Sequence, residues 1–186
     1  MMDEKPTEEH QNAMHQIQME RGWIVGSYAQ VEFMMADTII RSQKLPEYEH
    51  LAKTPVFNVT RRAKRFKELV NSPGPINQDA EPLLAVVERW SASETVRHFL
   101  VHGFAIFRWT RAGDMLMTFR LYAPEIDADD PFREMHFRPA TMRRVREAAT
   151  ADANLAVEAF EALHQRLGWE GPGDMPMRGL AGPAFR

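Results

Sequence analysis

The sequence predicts a mainly α-helical domain, a bundle of four to five helices with a β-hairpin inserted between the third helix and the last long one. Three observations carry this. Apolar residues recur at helical spacing over most of the 186-residue chain. Glycine and proline punctuate those stretches where helices must stop. One internal stretch, residues 104–122, abandons the helical period and reads as two aromatic-rich strands around a polar turn.

In residues 10–43 only Gly22 and Gly26 interrupt good helix formers, and Ile17, Ile24, Tyr28, Val31, Met35 and Ile39 fall on one face. A long amphipathic first helix follows. Pro46 ends it, and the segment up to Phe57, which contains Pro55, suits a connection with one short helical turn. Asn58 is a side-chain acceptor placed to cap a second helix. That helix has the apolar stripe Val59, Ala63, Phe66 and Val70, and a basic face of Arg61, Arg62, Lys64, Arg65 and Lys67. The run NSPGPINQD closes it with turn formers.

A third helix is predicted over residues 79–102, along Leu83, Val87, Trp90, Val96, Phe99 and Leu100. Gly103 is placed to end it in the left-handed conformation that glycine accepts. FAIFRWT and MLMTFRLY then flank the turn RAGD as a hairpin, and MHFRP (135–139) offers a third short strand. The last long helix, over 141–167, follows Val145, Ala149, Ala156, Ala159, Phe160, Leu163 and Leu167, with Asp152 interrupting the stripe and Gly168 stopping the helix. Trp23, Phe33, Phe66, Trp90, Phe99 and Phe160 read as packing residues, while Trp109 on the hairpin is an aromatic free to stack a base or seal a dimer. Residues 1–9 are expected to be disordered, residues 10–168 to form a single domain, and the Gly/Pro-rich residues 169–186 to lack regular structure.

Composition narrows the function classes. With 44% hydrophobic and 26% charged residues the chain can build one core. The absence of cysteine excludes disulfides and thiolate metal sites. The acidic start MMDEKPTEEH lacks the pattern of a secretory signal, and no apolar run is long enough for a bilayer, so a soluble cytoplasmic protein without membrane contact is expected. A net charge of −3 argues against indiscriminate nucleic-acid binding, which rests on phosphate neutralisation. The basic face of the second helix nevertheless leaves Arg61, Arg62 and Arg65 as candidate RNA contacts, although a solvated helix surface is the commoner meaning of such a run. Arg143, Arg144 and Arg146 oppose the dipole at the start of the last helix, which calls for an acidic or anionic neighbour.

The chemistry-bearing segment is RHFLVHG, residues 97–103. Each helical residue turns about 100°, so Glu94, His98 and His102 lie in one column, with Arg97 about 140° away from His102. Histidine is suited to take the 2′-hydroxyl proton of RNA or to protonate the leaving 5′-oxygen. Arginine can hold a phosphate by two parallel hydrogen bonds. Reaching one phosphate from both faces requires a site on the rim between them or a second helix. A pair of histidines four apart is also half of a metal site, but His10, His15, His50, His136 and His164 offer no convincing third ligand, so no metal or other cofactor is expected.

RHFLVHG resembles the Arg-φ-x3-His signature of HEPN domains (higher eukaryotes and prokaryotes nucleotide-binding), in which φ is polar; His98 fills that position. The surroundings are similar to uncharacterised bacterial members: an early helix with Trp23 and Glu32, a basic second helix, the motif ending the third, and a closing helix. The resemblance covers residues 23–167 as an order of elements, but only the seven-residue motif is specific. It implies a helical bundle that forms a homodimer with motif helices facing each other, cleaving RNA without metal, with toxin or phage-defence roles and an antitoxin or other protein partner in some members. On that pattern Arg97 would bind the phosphate, His102 would be acid or base, and His98 would assist. Glu94 has no role from the motif and would contact substrate or pair with Arg97 or His98. An inactive HEPN-like dimer that binds a nucleotide or a protein is the competing reading. The Tyr that follows the motif in one branch is replaced here by Gly103 and Phe104, so its modification is not expected.

Overall fold

Proline and serine, more than the apolar stripes, decide where the helices of this chain break. The computed structural model describes residues 7–51, 58–110, 114–124 and 129–169. Five α-helices and three strands follow in order: α1 (Glu8–Ser42), α2 (Val59–Asn71), α3 (Ala80–Ala92), α4 (Glu94–His102), β1 (Phe104–Trp109), β2 (Met115–Tyr122), β3 (Phe132–Phe137) and α5 (Pro139–Arg166). Single-turn 3₁₀ helices at Pro46–Tyr48 and Pro75–Asp79 occupy two connections, each with proline in its first turn. The fold is mostly helical, as the periodicity predicts.

The largest difference from the sequence reading lies in the third helix, which is two. At Ser93 the backbone leaves the helical region with φ −89° and ψ 2°, and the Ser93 hydroxyl donates to the Trp90 carbonyl at 2.7 Å. A serine that bonds its own preceding turn competes with helix continuation, so the chain restarts at Glu94. Gly103 also departs from expectation. Its φ is −74°, outside the left-handed region, and its role is close approach: a Cβ there would stand 2.5 Å from the Phe99 carbonyl oxygen and 3.1 Å from the Phe119 Cβ.

The strands form one antiparallel sheet in the order β1-β2-β3. The expected hairpin is present, with Phe104 opposite Arg120 and Trp109 opposite Met115, while the third strand begins at Phe132 rather than Met135, and Pro139 opens α5 instead of ending the strand. Residues 1–6, 52–57, the turn residues 111–113 and residues 170–186, on which expectations given above fall, lie outside the described residues. Among the described residues no helix is long and apolar enough to cross a membrane.

The chain divides into two compact units. The first comprises Met1–Val31 and Val87–Asn154. Its core takes Ile17, Ile24 and Tyr28 from α1, Trp90 from α3, Leu100 from α4, and Met117 and Phe119 from β2. Arg21 ties α1 to α4 by donating to the Leu100 carbonyl at 2.7 Å, and its guanidinium lies 5.2 Å from the Phe119 ring centre. Arg146 finds its acidic neighbour in Glu20 at 2.5 Å, which answers the charge that opposes the α5 dipole. Asp152 does not break α5; it faces outward and pairs with Arg89 at 3.3 Å.

The second unit comprises Glu32–Val86 and Leu155–Arg186. Phe66 of α2 and Phe160 of α5 meet at 5.5 Å in its core. Tyr48 is fully buried and accepts the Ile76 N–H at 2.9 Å, joining the two 3₁₀ turns. Gly74, at φ +150°, passes so close to the Tyr48 hydroxyl that a Cβ would lie 2.6 Å from it. Asp37 is buried under a two-oxygen grip from Arg41 Nε at 2.9 and 3.0 Å, with His164 Nε2 at 3.9 Å. Asn58 caps α2 as predicted, accepting the Arg61 N–H at 2.9 Å.

Candidate functional site

Helix α4 carries the motif on nine residues whose two sides have opposite environments. Phe99 and Leu100 point inward, and Leu100 is fully buried. His98 and His102 are exposed, with ring centres 4.9 Å apart. Neither imidazole hydrogen-bonds another group among the described residues. The pair is therefore open to solvent.

Arg97 takes the other environment. The residue is only 8% exposed, and its guanidinium carbon sits 3.7 Å from the centre of the Trp90 ring. This is a stacked cation on the most favourable aromatic face, worth about 0.5–2 kcal/mol. The structure thus brings His98 and His102 together on the surface and packs Arg97 against α3. The angular separation of Arg97 and His102 expected from helix geometry has become a difference in burial. Glu94 is exposed on the first turn of the same helix.

The basic face of α2 is engaged in part within its own unit. Arg62 approaches Glu32 at 3.9 Å, Arg65 donates to the Leu51 carbonyl and reaches Glu68 at 3.7 Å, and Arg61 is exposed. Arg62 and Arg65 thus reach residues outside α2, while Arg61 and Lys64 face solvent. Among the described residues no group of three or more His, Asp or Glu side chains could hold a metal ion.

Aromatic placement differs from the sequence reading at several positions. Trp23 and Phe33 have core spacing yet are 63% and 48% exposed. Trp109 is partly covered, its ring 4.4 Å from that of His10 on α1. The exposed aromatic residues of the sheet are instead Phe104, Tyr122 and Phe132, at 73%, 66% and 43%. Strand alternation could have found them: they share one parity with Arg120, whereas Met115, Met117 and Phe119 on the other parity are buried. Comparison with protein-family models, with curated proteins and with solved structures finds no match to this chain.

Proposed function

We propose that this chain is a metal-independent endoribonuclease of HEPN type, acting as a homodimer in which His98 and His102 exchange protons with RNA. The observation that carries the reading is the exposed imidazole pair, 4.9 Å apart, on the last turns of the motif helix. Two groups of this type and spacing suit the two ends of one phosphodiester transfer. One imidazole accepts the 2′-hydroxyl proton as that oxygen attacks phosphorus. The other donates a proton to the departing 5′-oxygen. The P–O5′ bond breaks, leaving a 2′,3′-cyclic phosphate and a 5′-hydroxyl, with no water or metal consumed. A second copy of α4 across a two-fold axis would bring two more imidazoles and close the site from the opposite side.

Arg97 takes an altered part in this reading. Stacked on Trp90, it anchors α4 and sets the direction of the histidine pair. A direct contact with phosphate requires the guanidinium to leave that ring.

The same stacking favours a second reading, an inactive HEPN-like dimer that keeps the motif arginine for packing and binds a nucleotide or a protein partner. Purified protein incubated in EDTA with a panel of RNAs separates the two. The nuclease yields 2′,3′-cyclic ends, and the Arg97→Ala/His102→Ala variant does not. Equal, slow degradation by both proteins rules out the nuclease. Toxicity on expression, relieved by the same substitutions, would agree with it.

A further inference from the structure

The distance between two imidazoles decides whether one ion can join them. A divalent ion bound by imidazole lies about 2.0–2.1 Å from the nitrogen, which puts it about 3.2 Å from the ring centre. For angles at the ion between about 90° and 109°, the square-planar and tetrahedral values, the two ring centres then stand about 4.5–5.2 Å apart. Those of His98 and His102 are 4.9 Å apart. The ring planes are inclined at 53°, so the pair is not stacked flat, and neither ring has a hydrogen bond to give up among the described residues. Torsion about χ2 of histidine is broad, so a nitrogen of each ring can turn to a common point while the ring centres stay where they are.

We infer that His98 and His102 together chelate one divalent transition-metal ion of the zinc, nickel and copper class. The scaffold beneath them is held at three points. Leu100, between the two histidines, is fully buried, its carbonyl accepts from Arg21 Nε at 2.7 Å, and the Gly103 N–H closes the last turn on the Phe99 carbonyl at 2.8 Å. The two side chains are thus presented one helical turn apart, and the ordering that binding requires is confined to the rings. The donor set selects the ion. Neutral imidazole nitrogen suits zinc, nickel and copper, whereas magnesium and calcium are bound by oxygen. Glu94 stands eight residues before His102, about 12 Å along the helix, so it does not join the same coordination sphere. Water fills the remaining positions, which leaves the ion exchangeable, unlike the closed four-ligand set of a structural zinc site. Two waters leave the ion as two ring nitrogens enter, and with both imidazoles neutral no proton or electron changes place. A lone pair given to the ion is withdrawn from proton exchange. On the nuclease reading, on which this consequence alone rests, the bound ion is an inhibitor.

The test is isothermal titration of zinc(II) into the full chain, first freed of metal by chelation and dialysis. Wild type is compared with His98→Ala, His102→Ala, the double variant and His15→Ala. His15 is an exposed histidine on α1 with Gln11 and Met19 four residues to either side, and it stands for a lone surface imidazole. Wild type and His15→Ala should each take up one ion per chain with equal affinity. Because the second imidazole binds at high effective concentration, either single substitution at the pair should weaken binding at least about tenfold, and the double variant should differ little from the singles. Copper(II) should bind more tightly than zinc(II), and magnesium should release no heat. Two equal weak sites, of which each single substitution removes one, would overturn the proposal. Wild-type affinity in both single variants would do so too, as would the same loss in His15→Ala. The titration contains no RNA, so an absence of cleavage leaves the chelating site standing, and an absence of zinc binding leaves the nuclease reading standing.

Discussion

Adjacent residues of the motif, Arg97 and His98, answer to different physics, and their substitution should separate stability from activity. Removing the Arg97 side chain takes away the stack on Trp90 and the burial of its aliphatic stem, so Arg97→Ala should cost about 1–3 kcal/mol in urea unfolding. Arg97→Lys should recover part of this, since an ammonium keeps the charge and loses the planar stack. His98→Ala and His102→Ala, at exposed positions, should change stability by less than about 0.5 kcal/mol. Tyr48 gives an independent check in the second unit. Tyr48→Phe leaves the buried Ile76 N–H without its acceptor and should cost about 1–3 kcal/mol. Burial also holds the Tyr48 phenol above its ordinary value of 10.0, more than the Ile76 and Asn77 backbone contacts lower it. Because the folded value is the raised one, its contribution to stability is complete below about pH 10 and is lost as pH climbs through the folded value. Alkaline unfolding followed by tryptophan fluorescence should show this limb in the wild type and lack it in Tyr48→Phe.

At the scale of elements, α4 owes its placement to its two ends. Ser93 starts it afresh, and Gly103 lets its last turn lie against β2. Gly103→Ala would drive a Cβ to 2.5 Å from the Phe99 carbonyl, a backbone atom that cannot yield cheaply, and should destabilise by about 1–3 kcal/mol. A thermal melt checks it. Gly22→Ala, where a Cβ meets nothing within 4 Å, should instead leave the melt unchanged or raise it slightly. These two glycines show what was legible in the sequence. The apolar stripe of α1 was: Ile17, Ile24, Tyr28, Val31, Met35 and Ile39 are all buried, because a single periodic signal dominates there. The break at Ser93 was not, because the stripe continues through Trp90 to Phe99 while the hydroxyl bond that interrupts the helix is local. The exposure of His98 and His102 follows from helical spacing relative to Leu100. The burial of Arg97 depends on which aromatic α3 supplies, and no spacing within α4 specifies that. Trp23 and Phe33 misled because helical spacing marks a face and cannot say whether another element covers it.

For the whole molecule, the nuclease reading requires a second copy, so the chain should sediment as a dimer at micromolar concentration, with a melting temperature that rises with protein concentration. A concentration-independent monomer would contradict the homodimer. The nuclease reading stands or falls on the histidine pair. The most direct measurement is therefore the cleavage rate of a defined RNA in EDTA by the wild type, His98→Ala, His102→Ala and the exposed control Leu155→Ala, compared at equal folded fraction. The account predicts 2′,3′-cyclic phosphate ends, a loss of about 10²–10⁴-fold in His102→Ala, a marked loss in His98→Ala and no change in the control. Equal rates in all four proteins would contradict it.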